Sequence, residues 1–329
     1  MSVVGFKASW INERSEQLNL KYIPQYSPVL TETMCIFVFS TSCKQYPFIL
    51  ISNRDEYFKR QTECASQRTY KDQQIVCPVD SERHGTWLAV NLDKNKISVL
   101  VNYREKTRIL SEGVSNISRG VLPLEAVTTD ARTRKDFINE LSSKWKGADF
   151  LQNIGGFSLF FGDLLTRKFD IISNKNEDDF KFYNEDGIDS KEVKTYGMSN
   201  SSYDEPWPKV KTAEALLKAQ IEALEKNQTD KDTFIQALLG VLTTSSIEPS
   251  ASYIENYDDI PKTIFVPPLE TEITVDNRFQ GRYYGTRTQT VILVDRDDKL
   301  TFVERNLHSS DDLSMKPTVQ KFEAQLKSA

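Results

Sequence analysis

The sequence has few of the residues from which metal centres and disulfide scaffolds are built. Its four cysteines, Cys35, Cys43, Cys64 and Cys77, all lie in the first quarter of 329 residues and form no CxxC pair, and His84 and His308 are the only histidines. A four-ligand zinc site would need an unusual arrangement of these side chains. A chain with this much apolar material does not need a disulfide scaffold, so reduced thiols in a cytosol-like compartment are expected. Glycine (13) and proline (12) are sparse, against a fibrous or disordered chain. Apolar runs are short: the longest, at 35–39 and 157–161, have strand length, far from the roughly 18 residues that suggest a membrane span. A basic block is also missing. The net charge is −5 with both signs mixed along the chain, so nucleic acid is not an expected partner. Residues 1–33 contain Glu13, Glu16 and Glu32 beside basic residues, with no compact apolar segment. They fit neither a secretory signal nor a transit peptide and are expected to form a soluble, poorly ordered extension.

What is present is enough apolar and aromatic material, 39% and 11%, for a substantial core. After Met34 the pattern becomes dense. Segments 35–39 and 47–52 read as two short buried strands, and 85–91 with 97–102 as a second pair joined by a turn carrying Asp93 and Asn95. Helices are expected from Ser118, around Phe137, Ile138 and Leu141, and after Tyr203-Asp-Glu-Pro-Trp-Pro, where Val210, Ala213, Leu217, Ile221 and Leu224 share a helical face. Thr229-Asp-Lys-Asp resembles a capping box opening a further helix with Phe234, Ile235, Leu238 and Leu242. Strands return at 157–162 and 168–173, and 282–295 with 299–304 reads as a long hairpin turned at Arg296-Asp-Asp. Paired strands with grouped helices argue for an α+β fold with antiparallel sheets, against a doubly wound parallel sheet. The expected organisation is one domain over 34–307, with a C-terminal tail or helix over 308–329.

Two places draw attention. Asn53-Arg54-Asp55-Glu56 follows a buried strand, where it is either a surface turn held by ion pairs or the lining of a pocket mouth. Cys35 opens the first strand, where a lone cysteine is ordinarily a small core residue. It also follows a methionine. A chain starting at Met34 and losing that residue would expose a Cys35 α-amine, whose pKa near 7.7–8.0 lies close to that of a thiol, about 8.5. The amine would then act as the thiol's own general base. The acidic run at 176–179 reads as a solvated loop, Trp87, Trp145 and Trp207 as packing residues, and His84 as a surface or pocket-rim residue. Gly155-Gly156 lacks the setting of a nucleotide cradle.

The ordered series Met34-Cys-Ile, Ser52-Asn-Arg-Asp-Glu-Tyr, Gly85-Thr-Trp-Leu-Ala, Val101-Asn-Tyr-Arg, Ser118-Arg-Gly, Tyr196-Gly-Met-Ser-Asn-Ser, Pro206-Trp-Pro-Lys-Val and Tyr284-Gly-Thr-Arg-Thr-Gln-Thr-Val resembles the transport and Golgi organisation protein 2 family, also called the NRDE family. The resemblance runs from Met34 to about Leu307. It implies an Ntn-hydrolase-like four-layer αββα sandwich with two antiparallel sheets. The family begins at the Met-Cys pair, whereas this chain carries residues before it.

By analogy with cysteine hydrolases of that fold, Cys35 is the nucleophile, Arg54 and Asp55 position the amine and thiolate, Asn102 or Asn200 donates to an oxyanion, and Arg287 completes the polar ring. Asn53, Arg54, Asp55, Glu56 and His84 are the candidate ligand-binding residues, and no metal is expected. The resemblance further implies a homeostasis protein linked to Golgi organisation, secretion, haem trafficking and acyl-CoA or lipid metabolism. That would make it a carrier or chaperone of a small amphipathic ligand such as haem, acyl-CoA or lipid, with no cofactor required. It implies a cytoplasmic location with association to mitochondria or Golgi. The competing expectations are an N-terminal-cysteine hydrolase of amide or acyl bonds and a non-catalytic interaction protein of the secretory pathway.

Overall fold

The computed structural model describes residues 34–104, 118–131, 133–145, 151, 154–174, 188–189, 195–248, 252–253, 255–271 and 281–327. The expectations for residues 1–33 and for the acidic run at 176–179 lie outside them.

Two antiparallel sheets form the centre. The first takes β1 (Met34–Ser40), β2 (Phe48–Tyr57), β10 (Thr195–Met198), β12 (Tyr283–Val294), β13 (Lys299–Asn306) and β14 (Thr318–Gln325), in the order β10-β1-β2-β12-β13-β14, with the short β11 (Leu269–Glu270) pairing β12. The second runs in sequence order through β3 (Thr62–Tyr70), β4 (Gln73–Asp80), β5 (Leu88–Asn91), β6 (Lys96–Asn102), β7 (Phe157–Asp163), β8 (Lys168–Ser173) and β9 (Ile188–Asp189).

Strand alternation sorts the apolar residues into three layers. Odd-numbered β1 residues, Cys35, Phe37 and Phe39, face the second sheet and pack with Val90, Val99 and Phe160. Phe39 lies 4.9 Å from Phe160 and 5.1 Å from Phe169, ring centre to ring centre, so an aromatic seam joins the sheets. Even-numbered Ile36 and Val38 face outward onto helices α3 (Pro208–Asn227) and α4 (Lys231–Val241), through Val210, Leu217, Phe234 and Leu238. Helices α1 (Leu122–Thr128) and α2 (Arg134–Lys144) cover the far face of the second sheet, through Leu122, Phe137 and Leu141 against Leu100, Leu159 and Ile172. The result is the expected α+β, αββα order with two antiparallel sheets.

Several local expectations shift. The cap of α4 is Asp230, whose carboxylate accepts from Thr233 N at 3.0 Å, one residue later than the box read from Thr229. Within 308–327 the expected tail or helix is replaced by β14, because the alternating residues of 318–325 complete a pairing row along β13. The hairpin β3–β4 was not anticipated. Its outer strand alternates exposed with half-buried residues and lacks the apolar run that marks the central strands.

Candidate active site around Cys35

The run Asn53-Arg54-Asp55-Glu56 is not a turn after a strand. It is the second half of β2, which continues to Tyr57 with all ten residues buried. Its register places Arg54 opposite Cys35 and Asp55 opposite Met34. Directly paired residues share a face, so the four polar residues divide into two alternating sets. Arg54 and Glu56 point between the sheets with Cys35; Asn53 and Asp55 point towards the helices with Met34.

Between the sheets, Arg54 Nη2 lies 3.3 Å from Glu56 Oε2 and 3.6 Å from Asp80 Oδ2, and its guanidinium sits 4.3 Å from the centre of the Trp87 ring. Arg60 joins the same carboxylates, at 2.8 Å from Asp80 and 3.5 Å from Glu56. Arg287 occupies the bulge between Thr286 and Thr288. Its Nε donates to the His308 carbonyl at 3.0 Å and its Nη1 to the Arg60 carbonyl. Burial, and next the Arg54 charge, bring the Arg287 pKa down to about 9. Arg54 and Arg60 therefore share two carboxylates, Glu56 and Asp80, while Arg287 is held by backbone carbonyls beside them. Arg54 Nη1 is buried with no hydrogen-bond partner among the described residues.

On the helix side, Asn53 Nδ2 donates to the carbonyls of Leu242 at 2.9 Å and Ile264 at 2.8 Å, a structural tie to the end of α4. Asp55 Oδ1 accepts from Thr286 Oγ1 at 2.7 Å, while Asp55 Oδ2 lies 3.7 Å from Lys209 Nζ. Both Asp55 and Lys209 are fully shielded from solvent. Burial raises the Asp55 pKa against the opposing pull of Lys209, and burial lowers that of Lys209 against the pull of Asp55. Neither Asp55 Oδ2 nor Lys209 Nζ has a hydrogen-bond partner among the described residues.

Sequence reasoning misses Lys209: Pro206-Trp-Pro-Lys-Val reads as a helix start and as a family motif, with no role for the lysine. The available signal was a lysine in the first turn of α3, at the positive end of the helix dipole, where a cation is unfavourable without another role.

The backbone of Cys35 is held by the end of β10. Its nitrogen donates to Asn200 Oδ1 at 2.7 Å, its carbonyl accepts from Ser199 Oγ at 2.6 Å, and Met34 N donates to Tyr284 Oη at 3.2 Å. Asn200 thus presents its amide oxygen to the Cys35 nitrogen. Asn102 ends β6, half-buried, two residues before Arg104, whose N–H donates to the Asn200 carbonyl at 2.8 Å. His84 stands exposed in the turn from β4 to β5 with φ of 53°. Burial pushes the Cys35 thiol up to about 12, with Arg54 the largest opposing influence, so the thiol is protonated at neutral pH. Among the described residues no group of three or more His, Cys, Asp or Glu side chains could hold a metal ion, and no helix is long and apolar enough to cross a membrane.

Comparison with known proteins gives a consistent picture. The human Transport and Golgi organization protein 2 homolog is 31% identical over 290 residues, spanning 84% of this chain and 95% of that one. The Bos taurus homolog is 29% identical over 304 residues, spanning 89% of this chain and all of that one. Among solved structures, the Caenorhabditis elegans ortholog of N-acylethanolamine-hydrolyzing acid amidase matches with a TM-score of 0.38 and 10% identity, over 79% of this chain and 92% of that one. The layer order stands on strand pairing and packing, independent of that likeness. The family model described as Transport and Golgi organisation 2 matches residues 34–309, and with that match over most of its length the chain belongs to the Transport and Golgi organisation 2 family.

Proposed function

We propose that the buried polar array is a latent N-terminal-cysteine site that cleaves or transfers amide or acyl groups once the chain begins at Cys35. The observation that carries this reading is the convergence on one residue. The Cys35 nitrogen is held by Asn200 Oδ1, its thiol shares a face with Arg54, and the charged pair Asp55–Lys209 lies on the opposite face of the same strand end. Burying Arg54, Asp55, Glu56 and Lys209 beside one strand end is costly unless they act together. With a residue attached before it, the Cys35 nitrogen is an amide and has no basic lone pair, so the thiol stays protonated. As a free amine it accepts the thiol proton. The resulting thiolate attacks a carbonyl carbon; the carbon–sulfur bond forms, the carbon–nitrogen or carbon–oxygen bond breaks, and the ammonium gives its proton to the leaving nitrogen or oxygen. Water or an acceptor amine or hydroxyl then takes the acyl group, and its proton restores the thiol. Arg54, with an unpartnered Nη1 on the thiol face, is placed to stabilise the negative charge that develops on sulfur or oxygen. The relatives are named for transport and Golgi organisation, and we place the substrate of this site in that setting.

The test compares the chain starting at Cys35 with the full chain, using an acyl-type electrophile and peptide mapping. Cys64 is only half-buried and sets the background rate. Burial holds the Cys43 and Cys77 thiols protonated, Cys77 up to about 12. Preferential labelling of Cys35 only when its amine is free supports the reading. Labelling of Cys35 no faster than Cys64 in both chains overturns it.

A second reading is favoured by the unpartnered Arg54 Nη1 and the Arg54–Trp87 contact. The same face would hold the carboxylate, propionate or phosphate of an amphipathic ligand, such as haem or an acyl-CoA, for carriage. Saturable binding of either, lost in Arg54→Ala and unaffected in Cys35→Ala, would select it. A non-catalytic role in secretion is the outcome in which Cys35→Ala and Arg54→Ala together leave cellular function intact.

A further inference from the structure

The helix side of the site holds two charged atoms that the geometry leaves unfinished. Asp55 Oδ2 and Lys209 Nζ are fully shielded, 3.7 Å apart, and neither completes a hydrogen bond among the described residues. Both lie on the face of β2 and α3 that meets Met34, which sits directly opposite Asp55 in the β1–β2 register. Met34 is itself completely buried, packed among Tyr57, Tyr253, Tyr284 and Leu269. Loss of Met34 would open room on this face, next to the nitrogen of Cys35.

On the reading in which Asp55 holds a free α-amine on Cys35, we infer that Lys209 is the neighbouring charge that keeps that amine neutral and able to accept a proton. This rests on the N-terminal-cysteine reading above and adds a positioning residue to it. An α-ammonium facing Asp55 alone would be held charged, and a charged amine cannot take the thiol proton. A lysine on the same carboxylate competes for that negative charge and disfavours a second cation beside it. The other groups that face this position fit the assignment. From β12, Thr286 Oγ1 donates to Asp55 Oδ1 at 2.7 Å, leaving Oδ2 as the open acceptor, and Tyr284 Oη lies where it accepts from Met34 N. Past the end of β6, Arg104 adds positive charge near Lys209, over the Tyr257 ring at 3.8 Å. On the far face of β2, Arg54 adds more, while Asn200 Oδ1 supplies a neutral acceptor to the same nitrogen at 2.7 Å. Among the described residues, Asp55 and Glu56 are the negative charges that act on Cys35.

The experiment titrates the chain beginning at Cys35, labelled with 13Cα-cysteine, following the Cα chemical shift with pH in the absence of any substrate. The Cys35 signal is identified by its change when Met34 is retained. The expected midpoint lies about one unit below the ordinary α-amine range of about 7.7–8.0. Lys209→Met is expected to return it to that range or above, and Lys209→Arg to hold it down. A wild-type midpoint inside the ordinary range overturns the assignment by itself, even if Lys209→Met fails to fold. So does a depressed midpoint that Lys209→Met leaves unmoved. Because the readout needs no turnover, failure to hydrolyse or label any acyl compound would sink the proposed activity while leaving this titration to stand or fall separately.

Discussion

Asn53 and Glu304 show how differently two buried polar side chains act in one sheet. Asn53 Nδ2 bridges the carbonyls of Leu242 and Ile264. The Leu242 carbonyl keeps a second donor, Gln289 Nε2 at 2.8 Å, so Asn53→Ala strands chiefly the Ile264 carbonyl. The expected cost is about 1–3 kcal/mol, read as a lowered urea midpoint. Reactivity of Cys35 is expected to be unchanged, since Asn53 Nδ2 is committed to two backbone carbonyls; a loss of Cys35 chemistry without a loss of stability would place Asn53 in the site. Glu304 is a titrating group. Its Oε1 accepts from Ala65 N of the opposite sheet at 2.7 Å, and burial raises its carboxyl pKa to about 7. A folded-state pKa above the unfolded value of about 4.3 favours folding while the group is protonated. That stability is fully present below about pH 4.3 and is lost as pH rises through 7. Comparing wild type with Glu304→Gln at pH 5 and pH 8 cancels the other titrations. The variant is expected to gain relative to wild type by on the order of 2–3 kcal/mol across that interval. A gap that does not change with pH would mean that the carboxyl is not held protonated.

At the scale of elements, two of the motif glycines serve contact, not chemistry. A Cβ on Gly85, at the turn into β5, would meet the Gly120 carbonyl carbon at 2.6 Å. Thr86 N donates to the Gly120 carbonyl at 2.9 Å across the same approach. The turn between β4 and β5 thus lies backbone to backbone against the single 3-10 turn Arg119–Val121 that leads into α1. Gly85→Ala should destabilise the second sheet by about 1–3 kcal/mol through forced separation, seen in a lower thermal midpoint. An unchanged midpoint would show that the turn yields freely. The central elements were legible because their signals are local: 35–39 and 157–161 are apolar runs, and Val210 to Leu224 repeats at helical spacing. The second half of β2 was not. Four consecutive polar residues resemble a turn until the partners of each alternate residue are known, and those partners, Leu242, Thr286, Lys209 and Asp80, are distant in sequence. Lys209 was hidden for the same reason.

Across the whole molecule the two sheets are joined by the phenylalanine seam and, at one end, by the last residues of the chain. Leu326, just beyond β14, is buried in the inter-sheet core. Lys327 N donates to Asn95 Oδ1 at 3.0 Å, and Asn95 Nδ2 donates to the Lys327 carbonyl at 2.7 Å, in the turn between β5 and β6 of the other sheet. The family match ends at residue 309, so this clasp lies outside it, and a domain ending at Leu307 would omit both β14 and the clasp. Such a truncation would bare the β13 edge and the face of Phe302 that Phe322 covers. Chains ending at Leu307 are therefore expected to unfold at lower denaturant than the full chain and to associate through the bared edge. Leu326→Ala separates the clasp from the edge, because it leaves the strand in place. A buried leucine reduced to alanine costs about 2–5 kcal/mol, and the loss should appear as faster hydrogen exchange in both sheets, not in β14 alone. If Leu326→Ala loosens only β14, the clasp is local and the sheets hold together through the aromatic seam. If both sheets loosen, the segment 326–327 also steadies the frame that sets Arg54, on the first sheet, against Trp87, just before β5 in the second.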